Sequence, residues 1–438
     1  MRKVLAVVAG GLMVLGLLAL MPAPANAELK VAVTGNVRLN VVYSDVIANN
    51  GASQENLPTG VPYTAGPGKN RETDNAQTMI DARRTRIQVA VSDDVGMTKL
   101  TAFIQTDFDT GEGTAVNSNS RGLRIRLAWA QGQTPTGWIL RFGQQRTMLS
   151  EIGDNLFGGV GSPDLVDETG NWDQFSGRQP GVWLGWTTKT MGGDLLVGVG
   201  MEKASTSVKT TPAASTAGLA STATVDPAQG TGEDVPLFGA AARFRTPLWA
   251  VFVRGGTQKN NVIQTGPKDG NNTAYQGWVG AITAEVTPGP LTIYGQYWYG
   301  DGLNRLGYNF QDVAMGQTVA SNSATGFAGP TGGKANAVNH LKAIQTHNWH
   351  AGAEYKLTKD LKTTVVYEWD SAVPNRRIFD LTAASVDKAK FQTVHAGFGY
   401  TFWSRFNFGL EYQWAQVHSF GSSVGNMNAV NSRLHFYF

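Results

Sequence analysis

An alternation of apolar and polar side chains recurs along almost the whole chain, and it constrains the fold more than any other feature. Between Val31 and Tyr43 nearly every second residue is apolar, while Arg38 and Asn40 occupy the other positions. Successive side chains of a β-strand point to opposite faces, so this period of two predicts strands with one apolar and one polar face. The same pattern recurs at 84–91, 99–109, 123–129, 138–145, 179–187, 195–202, 236–244, 248–256, 275–286, 291–299, 347–357, 361–370, 391–402, 405–414 and 428–438.

The connections between these segments alternate between short and long. Tight links rich in turn-forming residues separate the strands of each pair, whereas the intervening links span 45–78, 110–121, 146–178, 203–235, 257–274, 300–346, 371–390 and 415–427. Short turns at one end and long loops at the other are typical of outer-membrane barrels. The sequence therefore predicts an all-β transmembrane antiparallel barrel of about sixteen strands over residues 28–438. A soluble β-sandwich also alternates apolar and polar positions, but it favours regularly spaced turns.

The first 27 residues have the organisation of an export signal. Arg2 and Lys3 precede an apolar run over 4–20, and Ala25 and Ala27 form a small-residue cleavage pattern. We therefore expect a signal peptide over 1–27, Sec-type export, and the Gram-negative outer membrane as the destination. Cleavage removes two of the 36 Lys and Arg and none of the 33 Asp and Glu, which leaves a net charge of +1. That balance does not favour nucleic-acid binding.

The chain ends on an aromatic residue within an alternating segment, Leu434, Phe436 and Phe438. Such an ending resembles the C-terminal signal that the barrel-assembly machinery reads, so we expect this machinery and outer-membrane lipid as partners. Tryptophans near predicted strand ends are expected to form aromatic girdles at the membrane interfaces. These are Trp129, Trp138, Trp186, Trp249, Trp369, Trp403 and Trp414.

The candidate functional residues are charged groups predicted to face the interior of the barrel. An arginine facing lipid at the bilayer midplane costs about 2–4 kcal/mol, so a row of them indicates a wet face. The arginines are Arg38, Arg84, Arg86, Arg124, Arg126 and Arg141. The loop 146–178 is acidic and glycine-rich, so we expect it to fold inward as a constriction, with Glu151, Asp154, Asp164, Asp167 and Glu168 opposite the arginines. Structural pairing of the arginines with neighbouring carboxylates, and an outward loop, are the alternatives.

Patterns typical of enzymes and of metal sites are weak. Residues 421–425 match the G-x-S-x-G nucleophile motif, but they join two predicted strands where that motif requires a strand followed by a helix. His347 and His350 are three apart on a predicted strand, so they point to opposite faces and cannot share a metal ion. An incomplete calcium-loop pattern at 107–112 leaves a loop-bound cation open. We predict no catalytic residues, no cofactor and no dedicated metal site.

Several short segments together resemble a known family. They are Thr85-Arg86-Ile87, Phe103-Ile104-Gln105-Thr106-Asp107-Phe108, Leu123-Arg124-Ile125-Arg126-Leu127-Ala128-Trp129, Arg141-Phe142-Gly143-Gln144-Gln145 and Arg178-Gln179-Pro180. Over about 80–190 their order and spacing are similar to the DcaP-like trimeric porins, within the wider class of Gram-negative general porins. The resemblance implies a sixteen-stranded trimeric barrel, a constricting third loop, and passive uptake of small polar or anionic solutes. Where that family has an aromatic residue after the Gly-Gln pair, this chain has Gln145 and Arg146. The resemblance therefore does not indicate which substrate this chain would take.

These observations favour passive diffusion of small hydrophilic solutes and ions through a water-filled, arginine-lined pore of a homotrimer. A substrate-specific, anion-preferring channel is the alternative within transport. A non-conducting structural or adhesive barrel, and an outer-membrane hydrolase with Ser423 as nucleophile, are the alternatives from other classes.

Overall fold

The computed structural model describes residues 29–45, 77–108, 122–151, 153, 155–161, 163–166, 177–203, 208–210, 236–264, 273–301, 345–373, 389–418 and 424–438. The predicted signal peptide, most of the long connections, Ser423 and residues 109–112 of the incomplete calcium-loop pattern lie outside these ranges. None of the described residues belongs to a helix long and apolar enough to cross a membrane.

The described residues form one sheet of β-strands that closes on itself. The strands are β1 (Lys30–Ser44), β2 (Gln77–Asp81), β3 (Arg86–Val95), β4 (Thr98–Asp107), β5 (Arg124–Gln133), β6 (Trp138–Arg146), β7 (Arg178–Thr190), β8 (Gly193–Glu202), β9 (Val208–Thr210), β10 (Leu237–Arg245), β11 (Trp249–Gln264), β12 (Thr273–Val286), β13 (Leu291–Asp301), β14 (Gln345–Lys356), β15 (Leu361–Val373), β16 (Ala389–Phe402), β17 (Phe406–His418) and β18 (Val424–Tyr437). β1 pairs with β18 along one edge, from Asn36 to Ser44, and with β3 along the other edge, from Lys30 to Asn36. These two pairings close the ring.

The barrel has sixteen strand positions around its ring, as the sequence predicts, although eighteen strands are described. β2 and β3 both pair with β1 and together occupy one position, while the three-residue β9 pairs parallel to the end of β11 outside the antiparallel ring. The strand predicted at 84–91 is β3, which begins at Arg86; the short β2 was not predicted, and Arg84 lies in the break at 82–85 between the two. β11 also continues eight residues past its predicted end at 256, because main-chain pairing does not require apolar side chains beyond the membrane.

The two faces of the sheet differ as the alternation predicts. Val37 is 53% exposed, whereas its neighbour Arg38 is 2% exposed and faces the interior. Exposed apolar side chains recur on the same outer face around the barrel, for example at Ile104, Val253 and Val365. The outer face is therefore suited to lipid, and the polar face is enclosed by the ring.

A β-bulge overturns one local prediction. The register of β4 and β5 shifts between Gln105 and Thr106, so that Arg126 and Leu127 both lie opposite Gln105. Beyond the bulge the parity is reversed: Ile125 is 57% exposed on the outer face, but Leu127 is 2% exposed. Trp129 consequently points inward, stacked on Phe103 at 5.4 Å, and does not belong to an interfacial girdle.

Candidate functional site

The segment that follows β6 makes contact with the inner face of the barrel. We call residues 147–151, 153, 155–161 and 163–166 the inner segment. At its start Glu202 of β8 accepts hydrogen bonds from the Thr147 hydroxyl, from the Met148 amide at 2.7 Å and from the Trp183 indole at 2.8 Å. All four side chains are buried, so this carboxylate fixes the direction in which the chain leaves β6.

A buried ion pair holds the next turn of the inner segment. Arg254 of β11 donates to Glu151 and to the Leu149 carbonyl, and it reaches the Thr283 hydroxyl of β12 at 2.8 Å. The side chains of Arg254 and Glu151 are fully buried. Attraction between charges is strong in such surroundings, but separating the pair leaves a desolvated charge.

The inner segment covers a part of the inner face that is apolar. Phe157 stacks on Phe252 of β11 at 6.1 Å, and Trp183 and Trp298 lie in the same buried cluster. The other members of the cluster are Ile139, Met148, Leu149, Leu156, Val160, Leu196, Leu237, Ala241, Ala250, Val279 and Ala281. One side of the barrel therefore has an ordinary hydrophobic core between its wall and the inner segment.

Farther along, the inner segment reaches the end of the barrel where the short turns lie. Arg245, the last residue of β10, donates to the Gly159 carbonyl at 2.6 Å, and the Gly161 amide donates to Glu285 at 2.6 Å. Glu285 is the penultimate residue of β12, next to the turn that leads to β13. The inner segment thus extends past the middle of the barrel towards its short-turn end.

Asp164 connects the inner segment to two cations on the opposite wall. Lys362 of β15 lies 2.8 Å from its carboxylate and Arg433 of β18 lies 3.1 Å away. Burial raises the pKa of the Asp164 carboxyl, but the charges of Arg433 and Lys362 outweigh this effect, so the pKa lies below its usual range. The side chain remains about one-third exposed to water.

Both main-chain polar groups of Val166 are hydrogen-bonded to the barrel wall. Its amide donates to Glu411 of β17 at 2.6 Å, and its carbonyl accepts from Arg38 of β1 at 3.0 Å. Glu411 is in turn 2.9 Å from the His395 ring. From Thr147 to Val166 the inner segment therefore contacts the inner face from β8 around to β1.

Two of the predicted arginines, both on β5, are brought together around a carboxylate of β4. Asp107 accepts two hydrogen bonds from Arg124, both at 2.8 Å, and another from Arg126. Arg86 lies opposite Asp107 in the register of β3 and β4. Arg124 is about one-third exposed, whereas Arg126 and Asp107 are buried, so of these three side chains Arg124 presents its charge to water.

Arg141 stands slightly apart, over the Trp129 ring at 4.0 Å, and donates to Gln131 and Gln145. Of the predicted acids that the structure describes, Glu151 binds Arg254, and Asp164 binds Lys362 and Arg433; these three cations were not among the predicted site residues. Each lies at a polar position of an alternating segment, and that inward parity is the signal that could have found them. Asp154, Asp167 and Glu168 lie outside the described residues.

A second buried polar wall lies on β14 to β17. His350 is 2.9 Å from Asp370, and Glu368 accepts from the Thr393 hydroxyl at 2.6 Å. His395 lies between Glu411 and Glu368, at 2.9 and 3.8 Å. His347 points to the other face, as the period of two predicts, and packs on Tyr299.

The structure is thus a closed barrel with an apolar outer face, a charged inner face and a segment folded across its interior. The family model described as Gram-negative porin matches residues 14–375 of the chain. This chain belongs to the Gram-negative porin family. The porin is accordingly an outer-membrane channel protein and not an enzyme.

Solved structures agree with this porin's fold. DcaP of Acinetobacter baumannii, an outer-membrane channel, is 18% identical, with a TM-score of 0.61 over 96% of this chain and 100% of that chain. The anion-selective porin from Comamonas acidovorans is 12% identical, with a TM-score of 0.53 over 94% and 100% of the two chains. The trimer form of OmpT from Vibrio cholerae is 13% identical, with a TM-score of 0.52 over 94% and 99%. A search of the curated proteins finds no match to the porin.

Proposed function

We propose that this porin lets small hydrophilic solutes and ions diffuse passively through a water-filled pore that the inner segment narrows. The proposal is supported by the series of contacts between the inner segment and the barrel wall, from Glu202 on β8 to Arg38 on β1. A segment held across the enclosed space in this way reduces the cross-section open to solutes. Its apolar side is covered by the wall of β6 to β13, which leaves its charged end at Asp164 beside the remaining space.

The arginine cluster supports an anion preference within this function. Guanidinium groups stay charged at every working pH, and a fixed charge beside a narrow aqueous path attracts counter-ions. The partly exposed Arg124 is the group best placed to act on passing ions. Asp107 offsets part of the positive charge, so the preference is expected to be weak.

Planar-bilayer measurements with a matched pair of variants test the anion preference. Arg124→Ala removes positive charge and is expected to shift the reversal potential in a salt gradient towards cations. Asp107→Asn removes negative charge from the same cluster and is expected to shift it towards anions. Both shifts should shrink at 1 M salt, where the Debye length is about 3 Å. Shifts of the same sign, or none, contradict an arginine-lined pore.

The same measurement separates the rival functions. Wild-type protein that inserts but carries no current would favour a structural or adhesive barrel. Current blocked in a saturable way by one class of anion, and not by others, would favour a substrate-specific channel.

We also propose that the porin works as a homotrimer, on the family resemblance over 80–190 and the trimer form of the OmpT structure. Native mass spectrometry of the detergent-solubilised protein tests this, since a monomer under mild conditions would contradict it.

A further inference from the structure

Arg141 of β6 is held by two glutamines, and among the described residues it has no carboxylate partner. Its Nε donates to Gln131 of β5 at 2.9 Å, and its Nη1 donates to Gln145 of β6 at 2.8 Å. Its neighbour Phe142 is 50% exposed on the outer face, so Arg141 faces the interior. Amide side chains carry no net charge, so these bonds fix the guanidinium without neutralising it.

The flat face of the guanidinium is held as well as its edge. Cζ of Arg141 lies 4.0 Å from the centre of the Trp129 ring, and Trp129 is itself stacked on Phe103 at 5.4 Å. A guanidinium over an aromatic face is attracted by the ring's quadrupole. With one face on a ring and two nitrogens hydrogen-bonded, the guanidinium is fixed against the wall and cannot swing freely through the interior.

Trp129 lies under Arg141 because of the β-bulge between β4 and β5, and β6 accommodates that bulge in two ways. Gln144 donates to the carbonyls of Ile125 and Arg126 at 3.1 and 3.0 Å. Gly143, opposite Trp129 in the register, has a φ of 117°, and a Cβ there would lie 2.3 Å from a carbonyl oxygen of β5. Bulges re-aim side chains next to functional sites, so the inward ring points to a role for Arg141 in the pore.

These contacts leave one nitrogen of Arg141 for a passing ion. Nη2 makes no hydrogen bond within the part of the chain that the structure describes, and it is not among the buried polar atoms that lack a partner. An oxyanion binds arginine most tightly through two parallel hydrogen bonds from one edge of the guanidinium, a forked pair. Both edges that include Nη2 share a nitrogen that already donates to Gln131 or Gln145. Arg141 therefore offers an anion its charge and one unoccupied nitrogen.

We propose that Gln131, Gln145 and Trp129 are positioning residues that make Arg141 a single-point contact for oxyanions, so that carboxylates and phosphates pass it without being trapped. This inference rests on the proposed channel function and names residues that set which anions pass. Conduction requires that an ion bind well enough to enter and weakly enough to leave. An arginine free to form forked pairs would hold oxyanions in the pore and favour halides.

Block of chloride current by inorganic phosphate tests the proposal in planar bilayers. Gln131→Leu with Gln145→Leu removes both acceptors, keeps similar side-chain volumes and frees the donors of Arg141. Phosphate should then block the current at about tenfold lower concentration than in wild type, since one added hydrogen bond to a charged group is worth at least that factor. Iodide has no second atom to complete a forked pair, so its effect on the current should be the same in both proteins.

Gln105→Leu is the matched control. Gln105 accepts from Arg126 Nε at 3.0 Å in the same manner, but Arg126 is also held by Asp107 and Gln105 is not a partner of Arg141. This variant should show the phosphate block of wild type. Adding Arg141→Lys to the double variant should restore the wild-type block, because an ammonium keeps the charge and cannot form a forked pair.

Two variants of Trp129 test the aromatic contact separately. Trp129→Phe keeps a ring under the guanidinium and should leave the phosphate block as in wild type. Trp129→Leu removes the ring and should strengthen the block. Equal block in the two variants contradicts a positioning role for Trp129.

The remaining results overturn the proposal in distinguishable ways. A double variant that conducts chloride with the phosphate block of wild type overturns this inference and leaves the channel function intact. A block strengthened equally by Gln105→Leu, or retained when Arg141→Lys is added, shows that the effect does not act through the guanidinium of Arg141. Wild-type protein that inserts without carrying current contradicts the channel function, and this inference with it.

Discussion

Arg254→Ala is expected to release the inner segment from the barrel wall. The substitution removes the contacts of Arg254 with Glu151, with the Leu149 carbonyl and with Thr283 together. Both charged side chains are fully buried, and breaking such a pair from one side costs about 3–5 kcal/mol.

This cost is expected to appear as movement of the segment and not as unfolding of the barrel. Glu151 belongs to a connection between strands and can regain water if the segment leaves the wall, whereas the main-chain ladder of β11 is unaffected. At about 1.4 kcal/mol per factor of ten, 3–5 kcal/mol shifts the balance between docked and released states by roughly two to three and a half orders of magnitude.

Single-channel recording would measure the release. Arg254→Ala should give larger and noisier conductance than wild type, with the same resistance of the folded barrel to SDS at room temperature. The control is Arg254→Met with Glu151→Gln, which removes both charges, keeps most of the volume and should lie closer to wild type. Wild-type conductance and noise in a correctly folded Arg254→Ala protein would mean that Arg254 does not hold the inner segment against the wall.

Three further outcomes are expected. Glu411→Ala removes the acceptor of the Val166 amide and should increase current noise, whereas Glu411→Gln keeps an acceptor and should not; equal noise in both variants would count against the anchor. The lowered pKa of Asp164 means that its ion pairs stabilise the docked segment at neutral pH and are lost only as pH falls through the folded-state pKa, below the usual value near 4. Current noise should therefore rise only below about pH 4, and Asp164→Asn should remove this dependence. Deleting Phe438 removes its two main-chain hydrogen bonds with Gly35, at 3.1 and 3.2 Å, and should lower the yield of folded barrel in membranes; a normal yield would contradict its role in closure.

The strands of the barrel can be predicted from the period-two alternation. The local exceptions cannot, because they depend on how neighbouring strands pair. A strand residue such as Val37 is assigned correctly because one apolar side chain in two is enough to orient a strand. The bulge at Arg126 reverses the faces of Leu127 and Trp129, and it leaves no mark in an alternation that continues unbroken through the sequence. Only the pairing with β4 determines it.

The inward position of Arg124 and Arg126 could be predicted from the alternation, but the residues they pair with could not. Arginine at inward positions is a strong signal, since the alternative is charge in lipid, and Arg124 and Arg126 do lie together. The carboxylate between them is Asp107 of β4, which the register of β4 and β5 places opposite Arg124. The apolar inner wall around Phe252 was missed, since a polar interior was expected everywhere.

A disulfide between the inner segment and the wall would show whether the segment lies docked across a conducting barrel. Val166 and Gly409 suit a cysteine pair, because a Cβ on Gly409 would lie 2.7 Å from Val166 Cγ2. That places the two Cβ atoms within reach of the roughly 3.5–4.5 Å that a disulfide requires. Val166→Cys with Gly409→Cys is expected to form an intramolecular disulfide in the membrane-inserted protein, and the oxidised channel is expected to conduct like wild type. Failure of the bond to form, or loss of current when it forms, would contradict a conducting porin with its inner segment docked across the barrel.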